Sequence, residues 1–289
     1  MPHQGEFFSM KFIKSVIPDR FGSVLQRYRK EEVEKTNSTT QISNYIELLD
    51  QDKVPRPHYG YCILKAAEQA KILGYDKISV LEFGVAGGNG LLNIEWHIKK
   101  IKKVLDMNFE VYGFDTGKGL PRSSDPRDVP YLWFEGDFVM DEELLRSRLD
   151  HAHLVIGDVK ETVKNFFDRY KPAPVACIFE DLDYYTSTLD SFEIFNTNPN
   201  NYLPRIPIYF DDVIGRFEFP MNEYIGELAA INKFNEVFET KKIAKINYLR
   251  LKRRVSAKWN EQIYIFQDFG HPKYSEPIRE KQPQKTALK

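Results

Sequence analysis

Ile78-Ser79-Val80-Leu81-Glu82-Phe83-Gly84-Val85-Ala86-Gly87-Gly88-Asn89-Gly90 begins apolar and β-branched and then turns abruptly glycine-rich. Behind it, Leu91, Ile94, Ile98, Ile101 and Leu105 fall on one helical face. The reading is a buried strand, a tight loop and a helix. Glycines in such a loop adopt positive φ and let backbone approach a ligand. The helix start behind them offers free N–H groups and a positive dipole end to a carboxylate or phosphate. Dinucleotide enzymes place G-x-G-x-x-G at this point. The spacing here, Gly84-x-x-Gly87-Gly88-x-Gly90, does not fit. Four glycines within residues 84–90 nevertheless argue against a turn with no ligand. Glu82 alone is weak evidence, because a carboxylate at a strand end often only caps the next turn.

Working outward, strands and helices alternate. Strands are predicted at Ser79–Phe83, Val111–Asp115, His153–Gly157, Val175–Phe179 and Pro207–Phe210. Helices are predicted near Leu91–Leu105, Asp141–Leu149, Glu161–Tyr170, Thr188–Phe195 and Tyr224–Phe238. This is a doubly wound, mostly parallel α/β sheet. Lys245–Leu251 and Gln262–Gln267 lie close in sequence and read as an antiparallel hairpin that closes it. Seven strands are expected, with only the last running against the rest. Before the sheet, a helix from Tyr59 to Leu73 carries Cys62, Ile63, Ala66, Ala67 and Ala70 at helical spacing, with Gly74 as its C-cap.

Residues 1–57 stand outside this pattern and read as a helical N-terminal extension. Phe12–Ile17 and Phe21–Leu25 suggest short helices, Arg27–Lys35 is charged, Thr36–Ser43 reads as loop, and Val54-Pro55-Arg56-Pro57 as a stiff, extended break. The extension is expected to pack on the main domain or on a second subunit, as in a homo-oligomer. Residues 58–270 form the α/β domain. Residues 271–289 are polar and basic, and are expected to be a mobile tail.

Composition narrows the class. The 289 residues allow one large domain with additions. A hydrophobic content of 42% and a charged content of 29% are ordinary for a globular chain in water. The net charge of −1 gives no global field to recruit nucleic acid. The 14% of aromatics would suit a ring-lined pocket or simply an aromatic core. Cys62 and Cys177 sit in apolar segments and read as reduced core residues of a cytoplasmic protein. No apolar run reaches the length of a membrane span, and no signal-peptide pattern opens the chain.

Open α/β sheets bind ligands at the carboxyl ends of their strands. The second strand ends at Asp115, which is placed to accept ribose hydroxyls, or to cap a turn. The third ends Gly157-Asp158, where Asp158 could meet an adenine amino group or cap the next helix. The fourth continues Glu180-Asp181-Leu182-Asp183-Tyr184-Tyr185-Thr186-Ser187-Thr188, and the fifth ends Asp211-Asp212. Asp181, Asp183, Asp211 and Asp212 thus reach neighbouring strand ends. Like charges so close need a cation or shared protons. Oxygen-only ligands suit a hard cation such as Mg²⁺. Trp133 and Phe134, in the long loop to about Met140, read as lid or core.

An acidic residue at the strand end followed by Gly-x-x-Gly-Gly resembles motif I of class I S-adenosylmethionine-dependent methyltransferases. Strand-Asp-x-x-x-Gly-Leu-Pro, at Asp115–Pro121, resembles the macrocin O-methyltransferase family of metal-dependent sugar O-methyltransferases. So do Asp181, Asp183, Tyr185, Ser187, Thr188, Asp211 and Asp212, which match that family's Asp-x-Asp-x-Tyr-x-Ser-Thr and Asp-Asp. The resemblance covers roughly Tyr59–Phe269. It implies a Rossmann-like sheet with an antiparallel last strand, S-adenosyl-L-methionine as cofactor and Mg²⁺ beside it. It implies Glu82, Gly84, Gly87, Gly88, Asp115, Gly157 and Asp158 at the cofactor, Asp181, Asp211 and Asp212 as metal ligands, and Asp183 as general base. Glu180, the segment Leu203-Pro204-Arg205-Ile206 and the insert Asn196–Asn201 depart from the family pattern. The acceptor implied is a hydroxylated small molecule, a sugar unit of a glycoside or surface polysaccharide. The rivals are a metal-independent methyltransferase of a small molecule or protein, and a non-catalytic cofactor-binding scaffold; an oxidoreductase is disfavoured by the glycine spacing.

Overall fold

The computed structural model describes residues 38–216 and 219–279. The chain runs α1 (Ser38–Asp50), α2 (Pro57–Ile72), β1 (Lys77–Phe83), α3 (Asn89–Leu105), β2 (Asn108–Asp115), α4 (Glu142–Arg148) and β3 (His153–Ile156). It continues α5 (Val159–Lys164), α6 (Phe166–Tyr170), β4 (Val175–Glu180), α7 (Tyr185–Ser191), β5 (Arg205–Phe210), α8 (Gly226–Val237), β6 (Lys241–Lys245), α9 (Leu249–Lys252) and β7 (Ile263–Asp268). The sheet order is β3-β2-β1-β4-β5-β7-β6. β1 to β5 pair in parallel, β7 runs antiparallel to both β5 and β6, and so β7 alone opposes the rest. The seven-stranded architecture expected from the alternation is therefore observed.

Burial explains the central strands. β4 is buried at every position and β1 at all but Lys77, as befits strands covered on both faces. Helices α1, α2 and α3 pack together as one layer, and α5, α7 and α8 as another. Right-handed crossovers put them on opposite faces. Strand order reverses between β1 and β4, and a crevice opens at the carboxyl ends there.

Several local expectations are corrected. The sixth strand is Lys241–Lys245, not Lys245–Leu251. The apolar residues that suggested the later position belong to α9, where Leu249 is buried but Tyr248 and Leu251 are exposed. β6 is an edge strand that buries little beyond Ile243, so its own apolar signal is faint. The helix expected over Glu161–Tyr170 breaks at Asn165 into α5 and α6. Helix α1 starts at Ser38, inside the stretch read as loop. The expected elements before residue 38 lie outside the described residues. Arg56 is not extended: it has φ 40° and ψ 66°. The body also continues past the boundary drawn at 270. His271 is buried against the carbonyls of Pro199 and Tyr202, and Arg205 donates to the Tyr274 carbonyl. Residues 280–289 lie outside the description.

The described part of the extension packs on its own domain. The Tyr45 hydroxyl meets His97 Nδ1 at 2.9 Å, and Leu49 is buried. Arg253, from the loop before β7, reaches Asp50 and Asp52, and the Trp259 indole N–H donates to Asp52. Cys62 and Cys177 are both buried and free. Among the described residues, no helix is long and apolar enough to cross a membrane.

Candidate active site

The loop after β1 is built on glycine for steric reasons. Gly84 has φ 81°, and a Cβ there would lie 1.8 Å from the Asp181 carbonyl oxygen. Gly88 has φ 79°, and its Cβ would meet Leu145 Cδ1 at 2.1 Å. The loop is then held by Asp115, at the end of β2. One carboxylate oxygen accepts from the Val85 and Ala86 N–H groups at 2.9 and 2.8 Å, and the other accepts from Gly117 N–H at 2.6 Å. Beneath the loop, Glu82 is buried and accepts from the Tyr59 hydroxyl at 2.7 Å. Its second oxygen is buried without a partner. Burial lifts this carboxyl from 4.5 to about 7. Asp158 N-caps the short helix α5 by accepting from Lys160 N–H at 2.9 Å, which realises the cap role foreseen for it.

Opposite stands the acidic cluster. Asp181, Asp211 and Asp212 each present one carboxylate oxygen, and these oxygens lie within 4.8 Å of one another. Desolvation holds the Asp181 carboxyl well above the usual carboxylate range, and Asp211 and Asp212 push it further. Asp212 is raised to about 6, mainly by desolvation and then by Asp211. Asp183 is buried, with φ 61°, and is hydrogen-bonded to Asp212. Its carboxyl is raised by burial and then by Asp212 and Asp181. Asp183 and Asp212, both raised and in contact, therefore favour sharing a proton. The Tyr209 hydroxyl donates to Asp211 Oδ1 at 2.6 Å, and Gln262 donates to the Asp211 carbonyl at 2.8 Å.

Two further acids lie underneath. Glu180 is buried and accepts from Ser191 Oγ, and Glu227, fully buried on α8, accepts from the Asp212 N–H at 3.0 Å. Burial holds both well above the ordinary carboxylate range. Glu180 thus has a place: it is bonded within the core, where burial favours its neutral form. Glu227 gave no signal in the sequence, because a lone Glu in the first turn of a helix looks like a solvated dipole partner.

One cavity of about 680 Å³ joins the two sides. Gly84, Ala86, Asp115, Gly157 and Asp158 line it together with Asp181, Asp183, Asp211 and Asp212. Glu82, Gly87 and Gly88 were also expected at the cofactor, but they do not line the cavity; Glu82 and Gly88 support the loop, and Gly87 faces open space. The loop 116–140 forms a wall. It is stitched to itself by Leu120 N–H to the Asp137 carbonyl and by Gly136 N–H to the Leu120 carbonyl. Trp133 lines the cavity with a buried, unpartnered indole N–H, whereas Phe134 is exposed, so neither is core. Buried Asp128 fastens this loop to α7: it accepts from Thr186 N–H and Oγ1, each at 2.9 Å, and from Ser123 Oγ at 3.1 Å.

No family model matches the sequence, and no curated protein matches it by sequence. Solved structures do. CalS11, a calicheamicin methyltransferase, matches along 93% of this chain and 100% of its own, with a TM-score of 0.50 and 19% identity. The fold is that of the class I methyltransferases. The O-methyltransferase NovP matches at TM-score 0.48 and 16% identity, over 71% of this chain and 77% of its own. MycE of the mycinamycin pathway, solved with Mg and SAH, matches at 0.39 and 15%, over 76% of this chain and 51% of its own.

Proposed function

We propose that this chain is an S-adenosylmethionine-dependent, Mg²⁺-assisted O-methyltransferase of a hydroxylated small molecule, a sugar unit of a glycoside or surface polysaccharide. One observation carries the reading: a single cavity is lined both by the glycine loop with Asp115 and by four aspartates. The class I fold supports the donor. CalS11, described as a calicheamicin methyltransferase, favours a small-molecule acceptor.

The residues suit both absent groups. For the cation, three carboxylates supply oxygen donors only, within 4.8 Å of one another, and the buried Asp212 Oδ2 has no partner. For the donor, the loop, Asp115 and the Gly157–Asp158 turn lie along one wall. Asp181, Asp211 and Asp212 would hold the cation. When bound, it supplies charge that lowers the pKa of an acceptor hydroxyl. Loss of the proton shared by Asp183 and Asp212 would also be favoured by that charge, and Asp183, then a carboxylate, would take the hydroxyl proton. The cavity walls, Leu120, Pro121 and Trp133 among them, exclude water and hold the acceptor facing the donor end, which is where most of the acceleration arises.

Calorimetry with S-adenosylhomocysteine (SAH) tests the donor, and turnover with EDTA and then with added Mg²⁺ tests the cation. Binding of NAD(H) in place of SAH would overturn the reading. Full activity in EDTA would leave the metal-independent methyltransferase.

A further inference from the structure

Asp211 is the one exposed member of the three aspartates that could hold the cation. An exposed carboxylate ordinarily turns freely, yet this one is held. The Tyr209 hydroxyl meets Oδ1 at 2.6 Å, and Gln262 Nε2 meets both that hydroxyl, at 3.0 Å, and the Asp211 carbonyl, at 2.8 Å. The direction of each bond follows. A carbonyl oxygen only accepts, so the Gln262 group beside it is the amide NH₂. An NH₂ only donates, so the Tyr209 oxygen accepts from it. The one phenolic hydrogen is then left for Asp211 Oδ1. Among the described residues, no donor reaches the other oxygen, Oδ2.

The clamp is built where two strands meet. Tyr209 is next to last in β5 and is buried, and its ring stacks on His58 of α2, 4.4 Å between centroids. Gln262, also buried, immediately precedes β7. Because β7 runs antiparallel to β5, its first residues lie at the carboxyl end of β5. Ile263 stands opposite Tyr209, and the Gln262 carbonyl accepts from Phe210 N–H at 3.0 Å. A parallel strand would have brought its last residues there. The reversed strand thus puts an amide against the acidic cluster. The clamp commits one oxygen of Asp211 and leaves one. A carboxylate held so meets a cation through a single oxygen, which suits the octahedral demands of Mg²⁺; Ca²⁺ readily takes a carboxylate through both.

We propose that Tyr209 is a positioning residue that holds the Asp211 carboxylate with one oxygen free and so tips the site toward Mg²⁺ relative to Ca²⁺, with Gln262 aiming its hydroxyl. This rests on the cation reading above. The alternative is that these bonds only satisfy a buried phenol and amide, in which case losing one lowers stability and leaves the choice of cation alone.

The test follows the melting temperature of the full chain against MgCl₂ and against CaCl₂ at pH 8, with KCl of matched ionic strength as the blank. Tyr209→Phe keeps the ring and removes the hydroxyl. It should weaken Mg²⁺ by roughly 10- to 100-fold, weaken Ca²⁺ by no more than about threefold, and leave SAH affinity by calorimetry unchanged. Gln262→Met should shift the preference the same way. Equal weakening of both cations by Tyr209→Phe, or no weakening of Mg²⁺, would overturn the assignment, and an unchanged preference in Gln262→Met would remove Gln262 from it. A wild type that neither cation stabilises beyond the KCl blank would overturn the cation reading itself and take the assignment with it.

Discussion

The backbone carbonyl of Asp181 stands 1.8 Å from where a Cβ on Gly84 would be. The glycine loop and the acidic cluster are thus in direct contact, β1 end against β4 end. Their register is fixed by Gly84 N–H to the Phe114 carbonyl and by Asp181 N–H to the Phe83 carbonyl, both 2.9 Å. Gly84→Ala adds a methyl group that must displace that carbonyl, at a residue already at φ 81°. Strain and overlap together should cost about 2–4 kcal/mol, read as a lower denaturant midpoint. SAH and Mg²⁺ affinities should fall together. Gly74→Ala is the control: it has the same φ of 81° with nothing within 4 Å, and should lose only about 1 kcal/mol and no ligand affinity.

Glu82 gives a pH dependence of known sign. Its carboxyl is raised from 4.5 to about 7 in the folded chain, chiefly by burial. The folded state therefore prefers the protonated form. The stability this contributes is present in full below pH 4.5 and is lost as pH rises through about 7. The loss amounts to about 3 kcal/mol. Between pH 5 and 8, wild type should lose that much unfolding free energy relative to Glu82→Gln, in which the other titrations cancel. Parallel pH profiles for the two proteins would show that Glu82 ionises normally.

Asp128 holds the loop 116–140 to the segment that carries the acids. It is fully buried and accepts three hydrogen bonds, two of them from Thr186. Asp128→Ala leaves those donors unpaired and should cost about 2–4 kcal/mol. The loop should also open locally. Hydrogen exchange at the Thr186 N–H and proteolysis within 116–140 should accelerate more than at β1. Uniform acceleration across the chain would mean that Asp128 serves only global stability.

Much of this was legible in the sequence because the central strands are buried on both faces. Val80–Phe83 and Val175–Phe179 read as strands because nothing polar interrupts them but Glu82, and the acids follow at their ends. What sequence could not supply was depth. Glu82 and Gly88 sit beneath or behind the loop rather than on the cavity, and Glu227 joins the cluster from α8, far along the chain. β6 was displaced because an edge strand with little beyond Ile243 buried is quieter than the Tyr248–Leu251 stretch beside it. Arg56 departs from a rule that holds in isolation: the preference for extended backbone before proline is overridden where His97 bonds the Pro55 carbonyl and Tyr59 N–H bonds the Arg56 carbonyl.

The cation prediction concerns Asp181, Asp183, Asp211 and Asp212 together. Burial and mutual repulsion make ionising Asp181, Asp183 and Asp212 unfavourable, and Asp183 and Asp212 answer by sharing a proton. A dication reverses that balance. Mg²⁺ should therefore raise the melting temperature more at pH 8 than at pH 5. Asp212→Asn should remove most of this gain, because its carboxylate is one of the three oxygen donors, and should leave SAH affinity intact. Asp183→Asn is the sharper variant. Its amide can donate to Asp212 as the protonated acid does, so fold and Mg²⁺-induced stabilisation should survive. It cannot accept a proton, so turnover should fall roughly 10²-fold if Asp183 is the base. Full turnover by Asp183→Asn would remove it from that role, and the absence of any Mg²⁺ effect on melting at pH 8 would show that the carboxylates settle their repulsion by shared protons alone.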